Sequence, residues 1–556
     1  MSKHNSFDCY LEPLLISRDA RIRPYLDKLA DFRHWVLTEV DAQANYTDRY
    51  AAPKLETYDR DGSIANRVVV NPWYESQHQE AYRRGVIGLP YALQHAPQHA
   101  DAAPHLVSFA MGYLLSQADI SLHCPVTLTG AVAYVLGYHT SLAIRNRYLP
   151  ELTRMDGRTV TGGTWATEQH GGSDVGATTT TAVATSGGRF ALHGLKWFTS
   201  NANSGLAIAT ARPERAADGS AGLGLYLIPC HLEGGGPNRF VIRRLKDKLG
   251  TKGLPTGETD LLGAEALEIA APPHGFKIMM AALEYSRVHN AVGAAGVQRR
   301  ALREALLWAK SRRTFGRALA EYPMVQDELL GIRVRFEASA LLAFEAALGL
   351  DAALADPAKG TWLRLVTALA KYLTAEDAIR SCRATLELLG GNGYTSDYPI
   401  ARIYRDAQVL TVWEGPANIQ ALELLRLLTP KYAGAAQYER KVRSIIDALP
   451  SALSGLRSAL DSRLKGDLAA ITLVTADQGA AERYARKLLE RLSRSLALAL
   501  MCESAAHSYA AGDHRQWLTA ARYHEELEAP GLGQEDRRLS GAAFEVLEDE
   551  EVLEHV

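Results

Sequence analysis

The feature that most constrains this chain is a change of texture that happens twice. A Thr/Val/Gly-rich block, TVTGGTWATEQHGGSDVGATTTTAVATSGGRFALHGLKWFTS, lies between two long stretches in which apolar residues recur every three or four positions. β-Branched runs broken by glycine pairs suit antiparallel strands and turns, whereas the longer recurrence lays one apolar stripe along a helix. The expected fold class is therefore α+β, mostly α: an N-terminal helical domain over 1–156, a middle antiparallel β domain over 157–272, and a C-terminal helical bundle over 273–430. Thr429-Pro430 closes the bundle, because proline disfavours helical geometry in the residue before it. Residues 431–556 read as an appended helical region.

Composition narrows the class without deciding function. The chain has 556 residues, 47% of them hydrophobic and 22% charged, enough to fill several cores. Its 61 Lys and Arg against 63 Asp and Glu leave a formal charge of -2, so no polyanion or membrane-surface partner is implied globally. Cys9, Cys124, Cys230, Cys382 and Cys502 are far apart and form no CxxC pair, which points to a reduced protein without a disulfide or metal framework. The N-terminus has no signal or transit pattern, and no uninterrupted run of about eighteen apolar residues occurs. A cytoplasmic location is expected, with no membrane span. His123-Cys124 suggests a Cys–His nucleophile, but adjacent residues on one segment rarely face each other, so Cys124 reads as a buried thiol.

Four segments carry chemistry. Thr167-Glu168-Gln169-His170-Gly171-Gly172-Ser173-Asp174 places hydroxyls beside tandem glycines, where backbone can approach a ring or a phosphate. In Lys196-Trp197-Phe198-Thr199-Ser200, Phe198 and Ser200 fall on one face of a strand, an aromatic surface with a hydroxyl at its edge. Arg312-Arg313-Thr314-Phe315-Gly316, with Gln326 beyond it, supplies a guanidinium and a hydroxyl after a long helix, suited to a pyrophosphate. Glu387-x-x-Gly390-Gly391-x-Gly393-Tyr394-x-x-Asp397 runs on to Trp413-Glu414-Gly415-Pro416-Ala417-Asn418-Ile419-Gln420. Each alone has a bland alternative: a glycine turn, a half-buried strand, a solvated basic helix end, and an acidic residue at a helix start.

Together, and in this order, the four segments resemble the acyl-CoA dehydrogenase flavoprotein family over about residues 50 to 430. The resemblance implies FAD as cofactor, held by Thr167, Gly172, Ser173, Phe198, Ser200, Arg312, Thr314, Phe315, Gln326, Glu387, Gly390, Gly391 and Asn418. It implies Glu414 as catalytic base and Ser173, Arg287 and Arg426 as substrate-binding residues. It also implies an acyl-CoA substrate, an electron-transfer flavoprotein as acceptor and a homotetramer. Trp165-Ala166 departs from the family's small and branched apolar pair, a change placed beside the flavin; Pro323 stands where members carry a Gln.

Removing two hydrogens across Cα–Cβ needs a base for the α proton and an acceptor for the β hydride that no side chain can be. The run SLHCPVTLT, the segment YDRDGSIANRVVVNPWY and the ending WEGPAN resemble the AidB-type subgroup, linked to alkylation response and DNA binding. That makes a DNA-associated flavoprotein the alternative function. Residues 431–500 carry 12 Lys and Arg against 7 Asp and Glu, and residues 501–556 carry 4 against 13, so weak phosphate contact by a basic stripe is the most that charge supports.

Overall fold

The computed structural model describes residues 6–92 and 103–528; the acidic ending EVLEDEEVLEHV lies outside them. The chain divides into two compact units, Pro24–His289 and Met1–Arg23 with Asn290–Val556.

The first unit combines helices with a closed sheet. Strands β1 (Lys54–Tyr58) and β2 (Ile64–Val69) form a hairpin, and β3 (Gly162–Trp165), β4 (Thr181–Ala184), β5 (Arg189–Ser200), β6 (Leu206–Pro213), β7 (Gly224–Pro229), β8 (Phe240–Leu245) and β9 (Thr256–Ala270) form the sheet. Pairings run β6–β4–β5–β9–β7 and return to β6, with β3 added on β6 and β8 on β9. The ring of β4, β5, β6, β7 and β9 is a small barrel, while β3 and β8 each pair with a single strand. Most pairs are antiparallel as expected, but β3–β6 and β4–β6 are parallel. Glycine turns announce hairpins only; these two pairings come from long connections. The barrel is filled by Trp165, Leu192, Tyr226, Ile228, Phe240 and Leu261.

The N-terminal block is not wholly helical. Asn66, at φ +46°, donates from Nδ2 to the Phe240 carbonyl (2.6 Å) and accepts the Ile242 N–H (3.0 Å), so the β1–β2 hairpin docks on β8. Leu55 and Val68 pack against the barrel core. Helices His105–Ser116, Ile120–Tyr138 and the first part of Gly275–Ser311 enclose a buried polar cluster. There His123 Nδ1 lies 2.8 Å from Ser116 Oγ and Nε2 lies 3.2 Å from His289 Nδ1, so His123 faces these groups, while Cys124 is buried. Burial pushes His105 and His123 down to about 3, which keeps both neutral.

The second unit is helical. Pro323–Ala355 packs along Gly360–Leu389, and the appended helices Gly434–Ala448, Ser454–Thr475, Gln478–Ala510 and Arg515–Glu528 complete it. The N-terminal helix Leu11–Arg18 joins this unit: Arg18 bridges Glu345 (2.8 Å) and Glu503, and Asp8 accepts from Arg299 (3.2 Å). Among the described residues, two helices are long and apolar enough to cross a membrane, Ile120–Tyr138 and Pro323–Ala355, but 100% and 67% of their apolar windows are buried within the protein. A core helix satisfies the same length and composition.

Candidate functional site

In the first unit the two signature segments are tied together. The Trp197 N–H donates to the Thr167 carbonyl (2.9 Å), and buried Lys196 reaches the Glu168 carboxylate (2.9 Å) and the Thr210 carbonyl (2.9 Å). Glu168 also accepts from the N–H and hydroxyl of both Thr179 and Thr180 at 2.6–3.1 Å. Burial alone would raise the Glu168 pKa, but the Lys196 charge and these hydrogen bonds hold it down at about 2. A Cβ at Gly172 would stand 2.6 Å from Thr167 Oγ1, so glycine there lets the loop close over the threonine.

A bulge in β5 aims the next residues. Lys196 pairs with Thr259 but Thr199 with Gly257, one extra residue on β5. Thr199 then turns inward, while Phe198 is half exposed and Ser200 lies beside it at the surface. Ser200 Oγ is 3.2 Å from Thr256 Oγ1, which accepts from Lys248 Nζ (3.3 Å). Lys246, paired with Glu258 (2.5 Å), sits over the Trp197 and Phe198 rings. Ser173 is exposed on its loop. Trp165, which the resemblance associates with the wall beside the flavin, has its ring buried in the barrel, edge-on to Phe240 at 5.7 Å.

The second unit carries the other segments. Arg313 and Thr314 pair with Ala318 and Arg317 in a tight hairpin whose turn carries Phe315, at φ +47° and 97% exposed. Tyr322 anchors the hairpin by donating to the Thr314 carbonyl (2.6 Å), and Gln326 donates to the Ala320 carbonyl (2.9 Å). Arg312 is exposed, its guanidinium over the Trp308 ring. Glu387 is exposed and paired with Arg383, its negative charge compensated. The glycines after helix Gly360–Leu389 differ in their reasons. Gly390 has φ 62° and ψ -140°, a conformation open essentially to glycine alone. A Cβ at Gly393 would meet the Leu386 carbonyl at 2.4 Å, while at Gly390 and Gly391 it would meet nothing, leaving their backbone open to a ligand.

Glu414 is not in a helix. It precedes Ala417–Leu427 by three residues and has φ +56°, followed by Gly415 at φ +95°. The motif around it explains how this conformation is held. The fully buried Gln420 amide donates to the carbonyls of both Glu414 (3.1 Å) and Gly415 (3.0 Å). A Cβ at Gly415 would stand 2.9 Å from Gln420 Nε2 and 3.1 Å from Ile419. On the other side the Trp413 indole N–H donates to Asn290 Oδ1, from the long helix Gly275–Ser311. Asn290, and the bracing role of Gln420, were not apparent from the sequence; only the spacing W-E-G-x-x-x-I-Q hinted at the latter. Asn418 is exposed in the first turn of its helix. Arg426 lies at that helix's far end, engaged with Tyr432 (3.3 Å), whereas Arg287 belongs to the first unit, buried and 3.6 Å from Glu284.

Comparison with known proteins gives this arrangement its class. Residues 273–428 match the acyl-CoA dehydrogenase C-terminal domain, residues 163–262 its middle domain, and residues 19–156 the N-terminal domain of the adaptive response protein AidB. The chain is 31% identical over 449 residues to acyl-CoA dehydrogenase family member 11 of Caenorhabditis elegans, covering 75% of this chain and 72% of that one. It is 28% identical over 391 residues to the putative acyl-CoA dehydrogenase AidB of Escherichia coli K12, covering 69% and 70%. The crystal structure of C. elegans ACDH-11 in complex with C11-CoA superposes with a TM-score of 0.87 at 27% identity, covering 98% of this chain and 95% of that chain. The chain belongs to the acyl-CoA dehydrogenase family of FAD-dependent oxidoreductases. Within it, the N-terminal domain is of the AidB type.

Proposed function

We propose that this protein desaturates an acyl-CoA thioester to the 2-enoyl-CoA, with Glu414 removing the α proton. The observation that carries this reading is the turn at Glu414: a carboxylate-bearing residue held in a left-handed conformation by partners on both sides. Non-glycine residues held in costly backbone conformations cluster at active sites and ligand clamps.

The residues present fit a flavin. Phe198 offers a half-exposed aromatic surface with the Ser200 hydroxyl beside it, and Gly390 and Gly391 expose backbone that no side chain obstructs. Thr167, Gly172 and Ser173 would border the ring system; Arg312, Thr314, Phe315, Gln326, Glu387 and Asn418 would serve the rest of FAD. When bound, FAD supplies the acceptor for the β hydride. The chain's own share is to aim the Glu414 carboxylate and to favour enolate character at the thioester oxygen through hydrogen-bond donors. Ser173 and Arg287 would hold the acyl-CoA. Arg426, at the helix end beside Tyr432, would join them. Reoxidation by an electron-transfer flavoprotein, a homotetramer and a cytoplasmic location complete the reading.

The DNA-associated alternative rests on the basic residues of the appended helices. Arg443 pairs with Asp461 (2.8 Å), Arg486 with Glu376 (3.5 Å), Arg491 with Asp467 (2.7 Å) and Arg494 with Asp377 (3.4 Å). Only Arg494 is largely buried; Arg443, Arg486 and Arg491 are paired at the surface, and Arg440, Arg483 and Lys487 are exposed, so part of the stripe read from sequence still faces solvent.

Glu414→Gln tests the reading. It is isosteric, so FAD content should stay near the parent's, while anaerobic flavin bleaching by acyl-CoA should fall by at least the ~10²–10⁴-fold of a lost general base. Bleaching at the parent's rate would refute Glu414 as the base.

A further inference from the structure

Asn290, bonded to the Trp413 indole that precedes the proposed base in sequence, has an orphaned hydrogen-bond donor. An indole N–H can only donate, so its partner on Asn290 must be the amide oxygen, which fixes the orientation of that amide. The other end is then Nδ2, with two N–H groups. Asn290 is only 4% exposed, and Nδ2 meets no acceptor among the described residues. A buried donor left unmet costs more than a typical hydrogen bond returns, so such a group is normally met by a ligand or an ordered water. Its oxygen is committed to Trp413, the residue directly before Glu414.

We infer that Asn290 is a substrate-binding residue whose Nδ2 donates to an oxygen of the acyl thioester. This rests on the dehydrogenase reading of Glu414. The acceptor is either the thioester carbonyl or an oxygen carried on the acyl chain. In the first case Asn290 helps withdraw charge from the carbonyl as the α proton leaves. In the second it selects acyl groups that bear a hydroxyl over plain alkyl chains, because a buried donor discriminates against a ligand that cannot meet it.

Asn290→Asp separates the two jobs of the side chain: it keeps an oxygen for the Trp413 N–H and removes the donor. Asn290→Leu removes the donor without adding charge, and decides the matter where the Asp variant fails to retain flavin. The measurement is calorimetric binding to the FAD-loaded protein of undecanoyl-CoA, its S-undecyl thioether, which lacks the carbonyl oxygen, and the 3-, 4- and 5-hydroxyundecanoyl-CoA esters. Loss of one hydrogen bond should read as about tenfold. If the carbonyl is the acceptor, the variants weaken undecanoyl-CoA about tenfold and leave the thioether unchanged. If a chain oxygen is the acceptor, one hydroxy ester binds the parent about tenfold more tightly than undecanoyl-CoA, and the variants erase that margin. Parent-like binding of every ligand by both variants would overturn the inference and assign the donor to water alone. A parent that binds none of these ligands would instead overturn the dehydrogenase reading, and the inference with it.

Discussion

Glu414 at φ +56° occupies a region that costs a non-glycine residue about 1–3 kcal/mol. Two hydrogen bonds from Gln420 to the carbonyls of Glu414 and Gly415, each worth about 0.5–1.5 kcal/mol net, offset a cost of that size. The Trp413–Asn290 bond adds a second restraint on the other flank. The turn is thus balanced, and removing Gln420 should let it relax. Gln420→Leu should retain FAD but lower kcat by about 10–100-fold with little change in KM, in line with the cost of misplacing a reactive group by about 1 Å. The same change should raise the kinetic isotope effect with α,α-dideuterated acyl-CoA, because proton removal becomes the slow step. Rapid-mixing reduction of the flavin measures both. An unchanged isotope effect alongside a reduced rate would show that Gln420 supports the fold and not the aim of Glu414.

Between elements, the decisive joint is Lys196–Glu168, which fastens β5 to the glycine loop carrying Thr167 and Ser173. Both side chains are almost fully buried, so breaking the pair leaves a bare charge in the interior. Glu168→Gln should cost about 3–5 kcal/mol, and replacing both residues with apolar ones should cost less. The pH dependence follows from the folded-state pKa of about 2, below its unfolded value. The stabilisation is complete above the ordinary carboxylate range, at about pH 4.3, and is lost as pH falls from there through about 2. Urea midpoints taken from pH 6 to pH 3 should therefore fall less steeply in Glu168→Gln than in the parent. Much at this scale was legible in the chain. The helix–β–helix order and the outward pairing of Phe198 with Ser200 follow from local period. The bulge at Trp197–Phe198, the parallel β3–β6 and β4–β6 pairs and the docking of the β1–β2 hairpin on β8 were not legible, because each depends on residues distant in sequence. The family resemblance placed the Trp165-Ala166 change beside the flavin, whereas the Trp165 ring itself is buried in the barrel core.

For the whole molecule, the telling residues are large side chains on the second unit that a single chain leaves uncovered. Phe315 is 97% exposed, Met324 86% and Tyr394 84%, and Phe315 and Tyr394 lie within the segments assigned to FAD. Phe315 also holds a left-handed φ at the tip of its hairpin, with its carbonyl neighbour Thr314 anchored by Tyr322. In the proposed homotetramer, this exposed aromatic ring is expected to meet a second copy of the chain and the cofactor together. Assembly and flavin retention should then be one linked equilibrium, since a ligand bound only by the assembled form stabilises it by mass action. Phe315→Asp places a charge where the ring would be covered, while leaving the Tyr322 anchor in place. Light scattering of the purified variant should show a smaller species than the parent, and its flavin absorbance per chain should fall in proportion. Adding excess FAD should recover part of the larger species. A variant that keeps the parent's size while losing flavin, or keeps full flavin as a monomer, would separate the two events and remove the case for a cofactor site completed by the neighbouring subunit.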